Sequence, residues 1–125
     1  MRILVCGDRD WTDQEFVWNV LDELQPSHVI EGHARGADRA AHAWAEQHMP
    51  KEALSCRPAD WPRYGKPAGP IRNAVMLALE PDLVLAFHDH IEMSKGTADM
   101  LCKAADKGVL YVLVTHEDEY FWGEL

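Results

Sequence analysis

The stretch His28-Val29-Ile30-Glu31-Gly32-His33-Ala34-Arg35-Gly36-Ala37-Asp38 decides the fold of this chain. Its first four residues are a brief apolar run that Gly32 cuts off, which reads as a strand. Beyond the two glycines, Ala37, Ala40, Ala41, Trp44, Ala45 and His48 recur at helical spacing, so a helix is predicted from near Gly36 to just before Pro50. A strand that turns through glycines into a helix is the first half of a βαβ crossover. The mostly alanine face of this helix permits close approach to a sheet.

The same alternation continues on both sides. Met1 to Cys6 is an apolar run broken only by Arg2 and stopped at Gly7, a buried opening strand. Thr12 and Glu15 have capping-box spacing and Trp11 with Phe16 fits a hydrophobic staple, opening a helix with Phe16, Val17, Val20, Leu21 and Leu24 on one face and Pro26 at its end. Ala53 to Arg57 reads as a weaker strand. Pro58 to Pro70, with four prolines, two glycines, Trp61 and Tyr64 in 13 residues, reads as a long loop of the kind that binds ligands. Pro70 suits the first position of a third helix, to which Ile71, Ala74, Val75, Ala78 and Leu79 give an apolar face and Pro81 an end. Asp82 to Phe87 and Val109 to Val114 are strands. Between them Thr97 is expected to cap a helix carrying Ala98, Leu101, Cys102 and Ala105, closed by Gly108. The expected architecture is an open α/β sheet of about five mainly parallel strands with helices on both faces, formed by residues 1–115 and followed by an acidic, aromatic tail, 116–125.

A length of 125 residues with 47% apolar side chains suits one domain with a real core. No apolar run reaches bilayer length and the N-terminus lacks a signal-peptide layout, so the expected location is the cytosol, bacterial or, for a phage protein, that of its host. Cys6, Cys56 and Cys102 are far apart and odd in number, which argues against a disulfide scaffold or zinc knuckle and predicts that they pack in the core. Trp18, together with Tyr120, Phe121 and Trp122, is a candidate contact for a homo-oligomer.

The formal charge of −9, from 12 basic and 21 acidic residues, disfavours duplex nucleic acid as a partner. The last ten residues hold four acids and no Lys or Arg, leaving −5 for the rest. Seven of the 12 basic residues (Arg9, Arg35, Arg39, Arg63, Lys66, Arg72, Lys95) lie in or just after irregular segments. An acidic chain with cations gathered at its loops suits a small anionic ligand better than a polymer.

In open α/β sheets, ligands bind outside the carboxyl ends of the strands where the strand order reverses. That marks the loops 7–11, 32–38, 58–70 and 88–96, each of which holds both a cation and a glycine. In Gly32–Asp38 the glycines let backbone N–H groups approach an anion at a helix N-terminus, and Arg35 adds a bidentate donor. The spacing is neither Walker A nor Gly-x-Gly-x-x-Gly, and a plain strand-to-helix turn with Asp38 on the helix dipole is the competing reading. Lys95-Gly96-Thr97-Ala98-Asp99 repeats the pattern, as a second phosphate or ribose site or as an ordinary N-cap with a first-turn acid. Arg72 and Asn73 fall in the first turn of the helix opened by Pro70, where a cation opposes the dipole. The alternatives there are an anion held between Arg72 and the other loops, or a solvated arginine. Trp61 and Tyr64, with Arg63 and Lys66, can stack on a base and hold its phosphates, or simply pack the loop down. Asp8-Arg9-Asp10 offers an acid to ribose hydroxyls or a self-contained ion pair. His88-Asp89-His90 could join His33 on a metal, but the reading as a polar loop is preferred, and no metal or cofactor is expected. No Ser/His/Asp or Cys/His set stands out.

Taken in order, Gly7-Asp8-Arg9-Asp10-Trp11, Gly32 with Ala34-Arg35-Gly36-Ala37-Asp38, Pro58-Ala59-Asp60-Trp61, Gly69-Pro70-Ile71-Arg72-Asn73 and Gly96-Thr97-Ala98-Asp99-Met100 resemble the small YspA-type proteins of the SLOG superfamily. The resemblance covers nearly the whole chain except the acidic tail. It implies a Rossmann-like fold of a group common in bacteria and their phages, with the cytokinin-activating LOG phosphoribohydrolases and the DNA-processing DprA proteins as relatives. It also implies a nucleotide or nucleotide-derived ligand, some members being sensors beside immune effectors. LOG enzymes carry Pro-Gly-Gly-x-Gly-Thr-x-x-Glu, whose Glu serves glycosidic-bond cleavage. Aligned on Gly96-Thr97, Met100 stands where that Glu belongs and Glu92-Met93-Ser94-Lys95 replaces the Pro-Gly-Gly-x run. Asp99 is one residue out of register, roughly 100° away on a helix. Arg72 is similar to the arginine that LOG enzymes place near a helix start.

The expected function is therefore binding of a phosphorylated nucleotide-type ligand (a nucleotide, an ADP-ribose-like compound or a cyclic signalling nucleotide) as a sensor or sequestering protein without strong turnover. Arg35, Gly36, Gly96 and Thr97, beside Arg9 and Lys95, would hold phosphates, and Arg72 and Asn73 would bridge. Asp38, Asp99 or Asp8 would take ribose hydroxyls, and Trp61 or Tyr64 would cover the base. The alternatives are an N-glycoside hydrolase acting on a nucleoside monophosphate or ADP-ribosyl compound, with Asp99, then Asp38 or Asp8, replacing the missing Glu, and single-stranded DNA binding in the DprA manner, against which the charge argues.

Overall fold

The structure, a computed structural model, describes residues 1–117 and 121–123. Strands β1 (Arg2–Gly7), β2 (His28–Glu31), β3 (Leu54–Cys56), β4 (Leu83–Phe87) and β5 (Leu110–Val114) are parallel, and β6 (Phe121–Gly123) pairs antiparallel with β5 at the edge. The sheet order is β3-β2-β1-β4-β5-β6. The chain thus starts in the middle, winds to one edge, and returns beside β1 to build the other half. The order reverses between β1 and β4, and the carboxyl ends of these two strands diverge into the loops that bound the functional cleft. This is the Rossmann-like α/β architecture.

Alternation along the strands sends successive side chains to opposite faces. Ile3, Val5, Val29, Leu85 and Phe87 meet α1 (Gln14–Leu24) and α2 (Ala37–His48) on one face. Leu4, Cys6, Ile30, Val84 and Ala86 meet α4 (Ala68–Leu77) and α5 (Gly96–Asp106) on the other. All five residues of β4 are buried, as a central strand covered on both faces requires.

Several local expectations are corrected. The N-cap of α1 is Asp13, whose Oδ1 accepts from Phe16 N at 3.1 Å, so Thr12 is outside the helix. Trp11 and Phe16 do meet edge to face at 5.7 Å. The 58–70 segment is only partly loop. Asp60 caps a one-turn helix, α3 (Trp61–Tyr64), and α4 begins at Ala68, two residues before Pro70. Pro70 fits there because the first four N–H groups of a helix have no intrahelical acceptor to lose. The earlier start turns the helix. Its buried residues are Ala68, Gly69, Asn73, Met76 and Leu77, while Ile71 and Val75, expected in the core, face solvent. Arg72 and Asn73 lie in the second turn, so the dipole argument for Arg72 falls. Thr97 is buried inside α5, and its N–H donates to Ser94 Oγ at 3.0 Å; Lys95 is the N-cap. The inner face of α5 is Thr97, Met100 and Ala104, so Cys102 is exposed and Cys56 half-buried, and only Cys6 packs in the core.

Trp18 is half-buried with its indole donating to Ala40 O at 2.9 Å. Tyr120 and the side chains of Phe121 and Trp122, its expected companions in an oligomer contact, lie outside the described residues. Among the described residues no helix is long and apolar enough to cross a membrane.

Candidate functional site

The four loops singled out above converge on one cleft of about 660 Å³, within the range of small-molecule sites. The loop after β1 supplies Asp8, Arg9 and Asp10, the turn after β2 supplies Ala34, Arg35 and Asp38, the α3–α4 region supplies Trp61, Lys66, Arg72 and Asn73, and the loop after β4 supplies His88, Met93, Ser94, Lys95, Gly96 and Thr97. Five of these side chains are cationic (Arg9, Arg35, Lys66, Arg72, Lys95) and three are acids. In a chain of net charge −9 this is a local excess of positive charge.

Gly36 shapes the first wall. Its φ is +83°, and a Cβ there would run into the Asp8 carbonyl, so α2 can dock on the β1 loop only through glycine. Asp8 O accepts from Trp11 N at 3.2 Å and from Ala37 N at 3.4 Å, and Asp8 Oδ1 from Asp10 N at 2.9 Å. Asp10 pairs with Arg35 at 3.1 Å rather than with Arg9. Arg9 lies over the Trp61 ring at 5.4 Å, leaving Trp61 43% exposed at the cleft.

The turn after β2 does not present its first three N–H groups, those of Gly32, His33 and Ala34, to an outside anion. Asp38 Oδ2 accepts from Gly32 N at 3.1 Å and Ala34 N at 3.4 Å, so this chain's own carboxyl group occupies the position expected for a phosphate. Burial pushes the Asp38 pKa from 3.8 to about 7, against the pull of Arg72 and the two backbone N–H groups, with Glu31 adding to the rise. Arg72 Nη1 in turn donates to Gly32 O at 2.8 Å, in space that a Cβ on Gly32 would fill.

Asn73 is buried and spans α4 and α5. Its Oδ1 accepts from Arg72 Nε at 3.2 Å, and its Nδ2 donates to Gly96 O at 3.2 Å and Asp99 Oδ2 at 3.0 Å. Asp99 also pairs with Lys103 at 2.6 Å. Its carboxylate is spent on this clamp and does not line the cleft, and Met100 beside it is fully buried. Tyr64 also lies outside the lining, next to Arg63, and Gly36 works from behind. Arg39 donates to His33 O at 3.3 Å, away from the cleft.

Within the 88–96 loop, the sequence reading assigned no individual ligand-binding role to His88, Met93 or Ser94, all of which line the cleft. His88 is buried, its Nδ1 accepting from His90 N at 3.0 Å and its Nε2 lying 4.0 Å from Asp8 Oδ2. The available signal was position alone, since all three follow the strand at the switch point. His33, His88 and His90, the less favoured metal alternative, are not grouped as a possible metal site among the described residues.

A parallel sheet of this order with a cation-lined cleft at its switch point places the chain among Rossmann-like proteins. Residues 1–64 match the YspA, cpYpsA-related SLOG family (YAcAr), and the chain belongs to that family. It is 38% identical over 117 residues to the "Gene 61 protein" of Mycobacterium phage D29, an alignment spanning 86% of this chain and 91% of that relative. No solved structure matches the chain.

Proposed function

We propose that the cleft binds a phosphorylated, nucleotide-type ligand and that the protein acts in the cytosol as a sensor or sequestering protein rather than as an efficient enzyme. The observation that carries this reading is the convergence of five cationic side chains on a cleft that also receives the start of α5 and the exposed Trp61 ring. Phosphates are neutralised by Lys95, Arg9 and Arg35, with the Gly96–Thr97 helix start adding its dipole. Trp61 offers a stacking face for a base. Arg72, anchored on Gly32 O, and Asn73 hold the two halves of the cleft in register, and Asp38 and Asp8 are the acids within reach of ribose hydroxyls.

Native mass spectrometry of the purified protein, followed by a thermal-shift panel of nucleotides, tests this. A copurifying nucleotide, or a rise in Tm at micromolar ligand that drops at least about tenfold in affinity in Lys95→Ala, is expected. No shift from any nucleotide would sink the reading.

One observation favours hydrolysis as a second reading. Asp38, with its pKa near 7, is a cleft carboxyl group suited to donate and accept a proton at neutral pH. Incubating the bound compound with the protein separates the two. An intact ligand leaves sensing or sequestration, whereas free base, lost in Asp38→Asn, makes this a hydrolase.

A further inference from the structure

On the far side of the β2–α2 turn, Glu31, His33, His42 and Cys56 bring one donor atom each to within 4.8 Å of one another. They come from separate elements. Glu31 ends β2, and Cys56, its register partner, ends β3, so the two side chains leave the same face of the sheet side by side. His42 comes down from α2, which covers that face. His33 reaches in from the turn with φ +55°, a left-handed conformation that a non-glycine residue adopts at some cost.

The Glu31 carboxylate is fully buried, with no Lys or Arg ion pair among the described residues. Its neighbours are His33 N at 2.9 Å, His33 Nδ1 at 3.8 Å, His42 Nδ1 at 3.3 Å and the Cys56 thiol, which donates a hydrogen bond to it. A buried carboxylate without a permanent cation is what a bound metal ion satisfies. The other nitrogen of His42 faces Glu46 Oε1 at 3.6 Å, the outer carboxylate that commonly orients a metal-bound histidine. The His33 and His42 rings meet at 4.7 Å, and His33 is 42% exposed, which opens a path for an ion from solvent.

We propose that Glu31, His33, His42 and Cys56 form a tetrahedral site for Zn²⁺. Two imidazoles, a thiolate and a carboxylate are a zinc donor set, and four protein ligands close the coordination shell, as in structural sites. Bonds of about 2.0–2.3 Å around a tetrahedral ion leave donors roughly 3.3–3.8 Å apart, so from its 4.8 Å span the cluster needs to contract by no more than about 1.5 Å. On binding, the Cys56 thiol proton leaves to solvent as the Zn–S bond forms. The ion's two positive charges then match the thiolate and carboxylate, giving a neutral site compatible with burial. Zinc here ties β2, β3 and α2 together and stiffens the turn that carries Ala34, Arg35 and Asp38 into the cleft.

Co²⁺ titration of the chelator-treated full-length chain reads this directly, with Zn²⁺ affinity measured by competition against a chromogenic chelator. One equivalent of Co²⁺ should give intense tetrahedral d–d absorption and a thiolate charge-transfer band, displaced by Zn²⁺. Cys56→Ser should abolish the charge-transfer band, His42→Ala should weaken Zn²⁺ at least about tenfold, and Glu46→Gln should weaken it less. Cys102→Ser and His90→Ala, at sites away from the cluster, should bind like wild type. A weak six-coordinate Co²⁺ spectrum in the wild-type protein, or a charge-transfer band that survives in folded Cys56→Ser, would overturn the proposal. The wild-type spectrum decides the matter even if a variant fails to fold.

Discussion

Asp38 turns a potential phosphate loop into a self-satisfied one, because its carboxyl group takes the Gly32 and Ala34 N–H groups from inside. The cost is a buried acid whose pKa lies above its unfolded value, near 7 against 3.8. Between those values the unfolded chain has released this proton while the folded chain keeps it, so stability falls as pH rises through that window. Asp38→Asn carries no such proton. Its Tm relative to wild type should climb from pH 4 to pH 7.5, by an equivalent on the order of 4 kcal/mol for the full shift, and level off beyond. A difference that stays flat with pH would refute the assignment. Gly36 tests the neighbouring wall. Gly36 and Gly65 share a glycine-favouring backbone (φ +83°, ψ −129° and φ +65°, ψ −141°) whose strain for alanine is about 1–3 kcal/mol, so Gly36→Ala, with the Asp8 carbonyl also in the way, should cost more in urea unfolding than Gly65→Ala, with nothing within 4 Å.

At the scale of elements, helix ends and helix rotation matter most. Asp13 caps α1 through Phe16 N and also receives His116 Nε2 at 2.8 Å, so one side chain serves both the first helix and the chain's C-terminal part. Asp13→Ala should lose about 1 kcal/mol for the cap, measured as a lower urea midpoint at unchanged m-value. Thr12→Ala should be nearly silent, since Thr12 is outside the helix. For α4, beginning at Ala68 places Asn73 in the interior, where it clamps α5 at Gly96 and Asp99. Apolar periodicity pointed to the opposite face because the buried face includes glycine and polar Asn73 beside Ala68, Met76 and Leu77, while Ile71 and Val75 lie on the exposed one.

At the scale of the whole molecule, His116 latches the chain after β5 to the loops that follow β1 and β4. It stacks on Trp11 at 4.3 Å and contacts Asp89 at 2.7 Å and Asp13 at 2.8 Å. Hydrogen bonds donated to the Asp89 and then the Asp13 carboxylate raise its pKa above the usual 6.5. A raised histidine pKa means stability that is fully present below the unfolded value and lost as pH rises through the folded one. The stability advantage of wild type over His116→Gln should therefore be largest at pH 5–6 and shrink as pH rises above 6.5. Amide exchange of β5 should follow the same trend. An advantage that grows with pH would contradict the latch.

The amino-acid sequence by itself determined the α/β alternation, the five strands and the four loops that line the cleft, because alternation, helical periodicity and glycine or proline breaks act over a few residues. It also carried the family, through several motifs in order. Only the tertiary structure decided which donors are free and which are spent. Asp99 turned out to be bound to Asn73 and Lys103, the Gly32 and Ala34 N–H groups were taken by Asp38, and Ile71 was turned outward. The Asp99–Asn73 contact joins residues 26 positions apart, and the closer pairs depend on how the turn and the helices are set against the sheet. The grouping of Glu31 and His33 with His42 and Cys56 is of the same kind, since strand register and helix packing brought together side chains that no short-range spacing links.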